Sequence, residues 1–355
     1  MFFNIFIILL TLIFLAAIHE FGHFIFAKRS GVVVEEFGIG YPPRIFGKKM
    51  GDTFYSLNWL PFGAFIKIEG EESIDAYKNK TIGQRALMAI GGPMFSWLAG
   101  VVLLAIIFLT GTYVAIPDEI ESVDARVQIT AVSSGSPAES SGLKAGDIVV
   151  ALESTLEEKI QINKIIDVQE FIEKNKGKEV IILIERANNI SEVSLIPRIN
   201  VPIGEGSMVV SLTRTTLKKI PFRSVFYEAF ANAIMLTKQI TLGFIGIFQK
   251  IFSGKSLTGV AVVGPIGIGS LANQAIETGI VFYLQFVAII TIHLAIFNLL
   301  PIPALDGGKI LFLGLEKINK RPLNSNVEEK INSLFFMLLI ILMVIIAIKD
   351  IIKFL

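Results

Sequence analysis

The sequence predicts an α-helical polytopic membrane protein with four transmembrane helices, a membrane-associated β-hairpin loop and one inserted α+β domain, on three observations. Of 355 residues 53% are hydrophobic and 18% charged, and the mean hydropathy of +0.66 lies well to the apolar side of soluble domains. Four stretches are apolar enough to cross a bilayer, which takes about 20 residues. Between the second and third lies a run with strand-like alternation and turn residues, long enough for one small domain. A net charge of +1 excludes an electrostatic case for nucleic acid, and the absence of Cys excludes disulfides and thiolate ligands. Any metal would rest on His, Asp or Glu.

The first stretch, Phe2 to Ala27, opens with Met1-Phe2-Phe3-Asn4, which carries no Lys or Arg, while Lys28 and Arg29 follow it. It therefore reads as a retained helix with its amino end outside rather than as a secretory signal. Near its end stands His19-Glu20-Phe21-Gly22-His23. On a helix, positions i and i+4 share a face, so two imidazoles can be offered to one tetrahedral Zn²⁺, with Glu20 beside them to take a proton from water. The chain has only three His, and two fall in this motif. A polar patch closing an apolar helix, its His satisfied by backbone or water, remains open on these five residues alone.

After this helix, Phe54 to Ile68 is aromatic and β-branched with turn formers, and reads as the strands of a hairpin within a cytoplasmic-side segment of about residues 35–80. Gly38 and Gly40 read as part of the loop before it. The second span, Ala86 to Ile116, begins with Gly91-Gly92-Pro93 and then Ser96, a pattern suited to close helix packing and a tolerated kink. Residues 1–116 thus form a first region. The inserted domain, 118–215, has strand candidates at Val127 to Val132, Asp147 to Leu152, Val180 to Arg186 and Val193 to Pro197, and a helix candidate at Val168 to Asn175.

Residues 216–279 contain the apolar stretch Phe226 to Phe252, interrupted by Glu228, Lys238 and Lys250, which reads as an amphipathic helix on the outer interface. If it spanned, the helix from Ile280 would run the other way. Gly264 to Ile268 reads as a loop, serving either as a gate or as a plain surface loop. The last region, 280–355, holds the spans Ile280 to Leu305 and Ile331 to Ile348. Lys309, Lys317, Lys320, Arg321 and Lys330 between them place that loop on the cytoplasmic side. The third span ends in Asn298-Leu299-Leu300-Pro301-Ile302-Pro303-Ala304-Leu305-Asp306-Gly307-Gly308. Asp306 has no charged sequence neighbour to pair with, so a metal held with the His pair is its natural partner. His293, in the same span, reads as a hydrogen-bonding residue of the bundle interior.

With both motifs in view, the chain resembles the site-2 protease family, intramembrane zinc metalloproteases of regulated intramembrane proteolysis, in its bacterial single-PDZ form, over nearly the whole chain. The family pairs HExxH with N-x-x-P-x-P-x-L-D-G, complete here at Asn298, Pro301, Pro303, Leu305, Asp306 and Gly307. The resemblance implies a three-helix catalytic core and one Zn²⁺ per chain, with His19, His23 and Asp306 as ligands and Glu20 activating water. Asn298, with Pro301 and Pro303 shaping its surroundings, would lie near the scissile carbonyl. The second core helix usually carries Gly-Gly-Pro followed by Asn, where this chain has Gly91, Gly92, Pro93 and then Ser96. The hairpin around Phe62, Gly63, Phe65 and Ile66 would take an unwound substrate as an added strand, or simply be a small sheet packed on the bundle. Gly135-Ser136-Pro137-Ala138-Glu139 and Gly142 to Val149 resemble a bacterial PDZ domain, implying an extracytoplasmic module that binds peptide termini or filters substrates by size. The implied substrates are single-pass membrane proteins such as anti-sigma factors or signal-peptide remnants, in a bacterial cytoplasmic (inner) membrane, with the lipid bilayer as the other partner. A non-proteolytic zinc-binding or PDZ membrane scaffold, for which Ser96 in place of Asn speaks, and a zinc transporter are the alternatives.

Overall fold

A computed structural model describes residues 2–68, 79–122, 124–133, 135–155, 157–186, 189–200, 206–218, 220–254, 263–321 and 323–354. In chain order, α1 (Phe2–Arg29) is followed by β1 (Val34–Met50), β2 (Thr53–Ile68) and α2 (Ile82–Thr110). Then come β3 (Thr112–Ala115), β4 (Arg126–Val132), α3 (Pro137–Ser140), β5 (Ile148–Ser154), β6 (Ile160–Gln161), α4 (Ile165–Lys174), β7 (Val180–Arg186), β8 (Asn189–Leu195) and β9 (Val210–Lys218). The chain closes with α5 (Phe222–Phe252), α6 (Pro265–Thr278), α7 (Ile280–Asn298), α8 (Asp306–Asn319) and α9 (Ser325–Phe354). Two compact units result: one of Met1–Ala105, Phe226–Asn273 and Gln285–Leu355, the other of Ile106–Val225 and Gln274–Leu284. Residues 69–78 of the expected hairpin segment and 255–262 of the 216–279 stretch lie outside the described residues, as does the side chain of Phe62.

The first unit is a helical bundle held by glycine contacts. A Cβ on Gly22 of α1 would stand 2.1 Å from the Gly91 carbonyl oxygen of α2, so the two backbones touch where a side chain would part them. Farther along α2, a Cβ on Gly100 would meet Ile292 Cγ1 of α7 at 2.6 Å. At the other end of α2, Arg85 pairs with Glu316 of α8. The segment from Lys309 onward, expected as a loop, belongs to α8, which buries Gly307, Gly308, Phe312 and Leu313 on one face.

Among the described residues five helices, rather than four, are long and apolar enough to cross a membrane: α1, α2, α5, α7 and α9. α5 is the least apolar of them, interrupted by Glu228, Lys238 and Lys250. Its expected place at one interface is corrected by its packing. Trp97 of α2 donates to Thr237 Oγ1 at 2.8 Å and meets Phe230 edge-on, while Phe244 lies 6.2 Å from Phe297, beside Asn298 at the far end of α7. α5 therefore runs along α2 and α7 instead of capping one end. The direction of α7 is preserved by α6, whose Asn273 bonds Asn4 near the start of α1 at 2.8 Å and whose Gly267 N–H donates to Asp350 near the end of α9 at 2.8 Å. α7 thus starts from the end of the bundle where α1 starts. Gly264 to Ile268, expected as a loop that serves as a gate or as a plain surface loop, instead opens α6, the Gly267 amide met by a carboxylate as helix N-termini favour.

The hairpin also differs from expectation. Its turn is Gly51-Asp52, with Gly51 at φ +62° and Met50 paired with Thr53, so Phe54 to Ile68 is one strand, not two. Gly38 and Gly40 lie inside β1. Both strands bend and pair twice. Residues 34–39 pair on one side with 64–68 and on the other with 54–57, and residues 44–50 pair with 53–58. Four strand segments thus lie in the order 64–68, 34–39, 54–58, 44–50, and among the described residues 64–68 is a free edge.

The second unit is a seven-stranded antiparallel sheet of order β3-β9-β4-β5-β7-β8, with β6 on β5. Val127, Ile129, Val149, Leu152, Ile182 and Ile184 pack with Val168 and Phe171 of α4 as its core. β3 and β9 have no counterpart among the strand candidates, and the candidate at Val193 to Pro197 lies instead at β8. In β9 the alternation is hidden by Arg214, only 3% exposed, whose guanidinium donates to the carbonyls of Asn163, Pro117 and Ile120. A buried charge is tolerable when its donors are met this way.

Candidate metal centre

The helical repeat of α1 puts His19 and His23 on one face, and close contact with α2 confines that face. A Cβ on Gly92 would lie 2.2 Å from His23 Nε2 and 2.6 Å from His19 Nε2, so only glycine leaves room for both rings. α2 also orients them. His23 Nδ1 lies 2.7 Å from the Met88 carbonyl, which can only accept, so Nδ1 carries the proton and Nε2 presents its lone pair. His19 Nδ1 lies 3.0 Å from Ser96 Oγ, which leaves its Nε2 turned the same way.

The third group comes from across the bundle. After α7 ends at Asn298, Pro301 and Pro303 interrupt the helix and a turn delivers Asp306 as the first residue of α8. Its Oδ2 lies 3.1 Å from His19 Nε2 and 3.4 Å from His23 Nε2, and the two Nε2 atoms are 3.2 Å apart. A tetrahedral ion with ligand bonds of ~2.0–2.1 Å has ligand–ligand edges of roughly 3.3 Å. The triangle of donor atoms therefore fits Zn²⁺ with one position left open. Among the described residues it is the one such group of three.

The donors line a cavity of about 330 Å³ whose other walls are Glu20, Asn298, Ala304, Leu305 and Lys309, with Met88, Ala89, Ile66 and Ile68. Glu20 is thus within the same chamber as the three donors. Of the hairpin residues singled out from sequence, Ile66 reaches the cavity. Phe65 instead stacks on Tyr41 and lies over Gly38, where a Cβ would stand 2.3 Å from its ring. Gly63, at φ +82°, passes close to Ala16 of α1. Pro303 is buried and Pro301 exposed, neither of them on the cavity wall. Pro93 lies inside α2. His293 bonds the Ile289 carbonyl of its own helix at 2.9 Å and stands outside the triangle.

A model of peptidase family M50 matches residues 6–342. The chain belongs to peptidase family M50. It is 33% identical to a provisionally named zinc metalloprotease of Clostridium perfringens, over 95% of both chains. A second, from Clostridium acetobutylicum, is 29% identical over 99% of this chain and 98% of its own. The zinc metalloprotease RasP of Oceanobacillus iheyensis is 24% identical over 95% and 96%. With several helices long and apolar enough to cross a membrane, this M50 chain is a multi-pass membrane zinc metalloprotease. Sequence reasoning missed the Met88 carbonyl, the contact between Ser96 and His19, and Lys309. Backbone carbonyls leave no signal in a sequence, and Lys309, though it directly follows the Asp-Gly-Gly run, reads from sequence only as a topology charge.

Proposed function

We propose that the chain is an intramembrane endopeptidase that hydrolyses peptide bonds within the membrane segments of single-pass proteins. One observation carries the reading: three zinc-spaced donors share a chamber, at the ends of membrane-length helices, with a carboxylate, an amide and strand residues of 64–68, a segment that has one paired neighbour among the described residues. His19, His23 and Asp306 would hold one zinc ion, which when bound supplies Lewis-acid chemistry, polarising the scissile carbonyl and acidifying water. Glu20 takes the proton of the attacking water and passes it to the leaving amine nitrogen. Asn298 donates from its amide to the carbonyl oxygen as charge develops there. Because a helical substrate shields its own peptide bonds, it must be drawn out, and residues 64–68 offer backbone groups to an extended segment beside Ile66 and Ile68.

The second unit is read as a PDZ-like module that either binds peptide termini or admits only substrates with trimmed outer domains. In this reading it and the amino terminus face outward from a bacterial cytoplasmic membrane. The substrates in this reading are anti-sigma factors or signal-peptide remnants, as the resemblance to site-2 proteases implies. A non-cutting scaffold is favoured only by Ser96, and Ser96 has a use in the site through its bond to His19.

The test is cleavage of a model single-span substrate by wild type, Glu20→Gln and Asp306→Asn, with zinc measured on each purified protein. Wild type is expected to cut, Glu20→Gln to hold zinc without cutting, and Asp306→Asn to lose both. Zinc bound by wild type with no cleavage of several substrates would favour the scaffold.

A further inference from the structure

The turn that delivers Asp306 adopts a backbone form its own sequence does not favour. Ile302, Pro303, Ala304 and Leu305 make a β-turn closed by the Leu305 N–H on the Ile302 carbonyl at 3.1 Å. Pro303 stands second and Ala304 third, with Ala304 at φ +75°. A positive φ in third place marks a type II turn, a position that glycine fills without cost and alanine does not. Left to itself, Pro-Ala is better suited to the type I turn, which reverses the peptide between these two residues.

That peptide is held from another helix. The Ala304 N–H donates to Asn332 Oδ1, on α9, at 3.0 Å. Reversing the peptide would turn this N–H away from Asn332, so the bond selects the type II form. The chain beyond the turn has no slack: Leu305 is extended at φ −104° and ψ 168°, and Asp306 opens α8 directly after it. Added Cβ atoms on Gly307 and Gly308 would lie 2.0 Å from the Leu300 oxygen and 2.5 Å from the Ile302 oxygen, so α8 is seated directly on the turn. A change of turn form would therefore be passed to the Asp306 carboxylate.

We infer that Asn332 is a positioning residue for the metal centre, fixing the turn that aims Asp306 at His19 and His23. The inference rests on the reading of those three residues as zinc ligands. It gives α9, a largely exposed apolar helix, a task in the site.

The test uses the full chain in detergent, measuring zinc affinity by chelator competition, the visible spectrum of the cobalt-loaded protein, thermal unfolding and cleavage. Asn332→Ala removes the acceptor and is expected to weaken zinc binding on the order of 10-fold and to shift the cobalt spectrum. Asn332→Gln, which displaces the acceptor, is carried in parallel and should weaken it in the same direction. Asn332→Asp keeps the acceptor and should keep most of the affinity. Ala304→Gly added to Asn332→Ala should restore most of what was lost, since glycine takes φ +75° without a side-chain penalty. Unchanged affinity and spectrum in Asn332→Ala would overturn the inference. So would a loss that Ala304→Gly leaves unrelieved, which would assign Asn332 to the packing of α9. Retention of full zinc affinity by Asp306→Asn would instead remove the ligand reading on which the inference stands.

Discussion

Gly92 shows how much a single hydrogen atom decides. Its would-be Cβ falls 2.2 Å from His23 Nε2, inside any possible contact distance, so Gly92→Ala must displace a ring or part α1 from α2. Purified Gly92→Ala is expected to contain little zinc and to cleave a model substrate below detection; zinc content equal to wild type would contradict the placement of the His pair. Ser96 makes a related point. Its hydroxyl does for His19 what the Met88 carbonyl does for His23, fixing which ring nitrogen faces the cavity. The motif His19-Glu20-x-x-His23 is legible from i, i+4 spacing, but these two orienting partners are not, because they lie 77 and 65 residues away in sequence.

Among the elements, the bent hairpin matters most. Segments 34–39 and 53–58 each pair on both sides, so among the described residues 64–68 and 44–50 are the outer segments, and Ile66 and Ile68 of the former lie on the cavity wall. Ile66→Gln keeps the strand and alters only that wall, and should lower kcat/KM on the order of 10-fold to 100-fold through misplacement of the bound segment, with zinc content unchanged. Loss of zinc in this variant would mean that the hairpin supports the metal centre rather than the substrate. The aromatic and β-branched run 54–68 announces strands, yet the partner strand 34–50 reads partly as loop. Gly38, Gly40, Pro42 and Pro43 weaken its strand signal. Gly38 is there for packing, as the ring of Phe65 covers it.

At the scale of the molecule, the bundle brings His19 and His23 to 3.1–3.4 Å from Asp306, a residue 287 positions beyond His19 in the chain. A metal held jointly by α1 and α8 should cross-link them and bind the folded state only. Removal of zinc with a strong chelator is expected to abolish cleavage and lower the unfolding temperature, and both should return on adding one equivalent of zinc per chain. Full cleavage after verified zinc removal would show the centre to be dispensable. The placement of α5 belongs at this scale too. Glu228, Lys238 and Lys250 argue for an interfacial helix, but contacts of Phe230, Thr237 and Phe244 lay it along α2 and α7.

By itself the sequence determined a polytopic membrane chain, the apolar helices α1, α2, α7 and α9, the inserted strand-rich domain and His19, His23 and Asp306 as candidate metal ligands. These signals are local: a run of apolar residues, a helical repeat, a Pro-x-Pro break before a lone carboxylate. Tertiary structure alone decided that the triangle has the edges of a tetrahedral site, that α5 joins the bundle, that β9 buries Arg214, and that Ala304 is held left-handed by Asn332. Each of these depends on a partner distant in sequence, where the energy of a buried charge, a close glycine contact or a strained turn is settled by what the fold places against it.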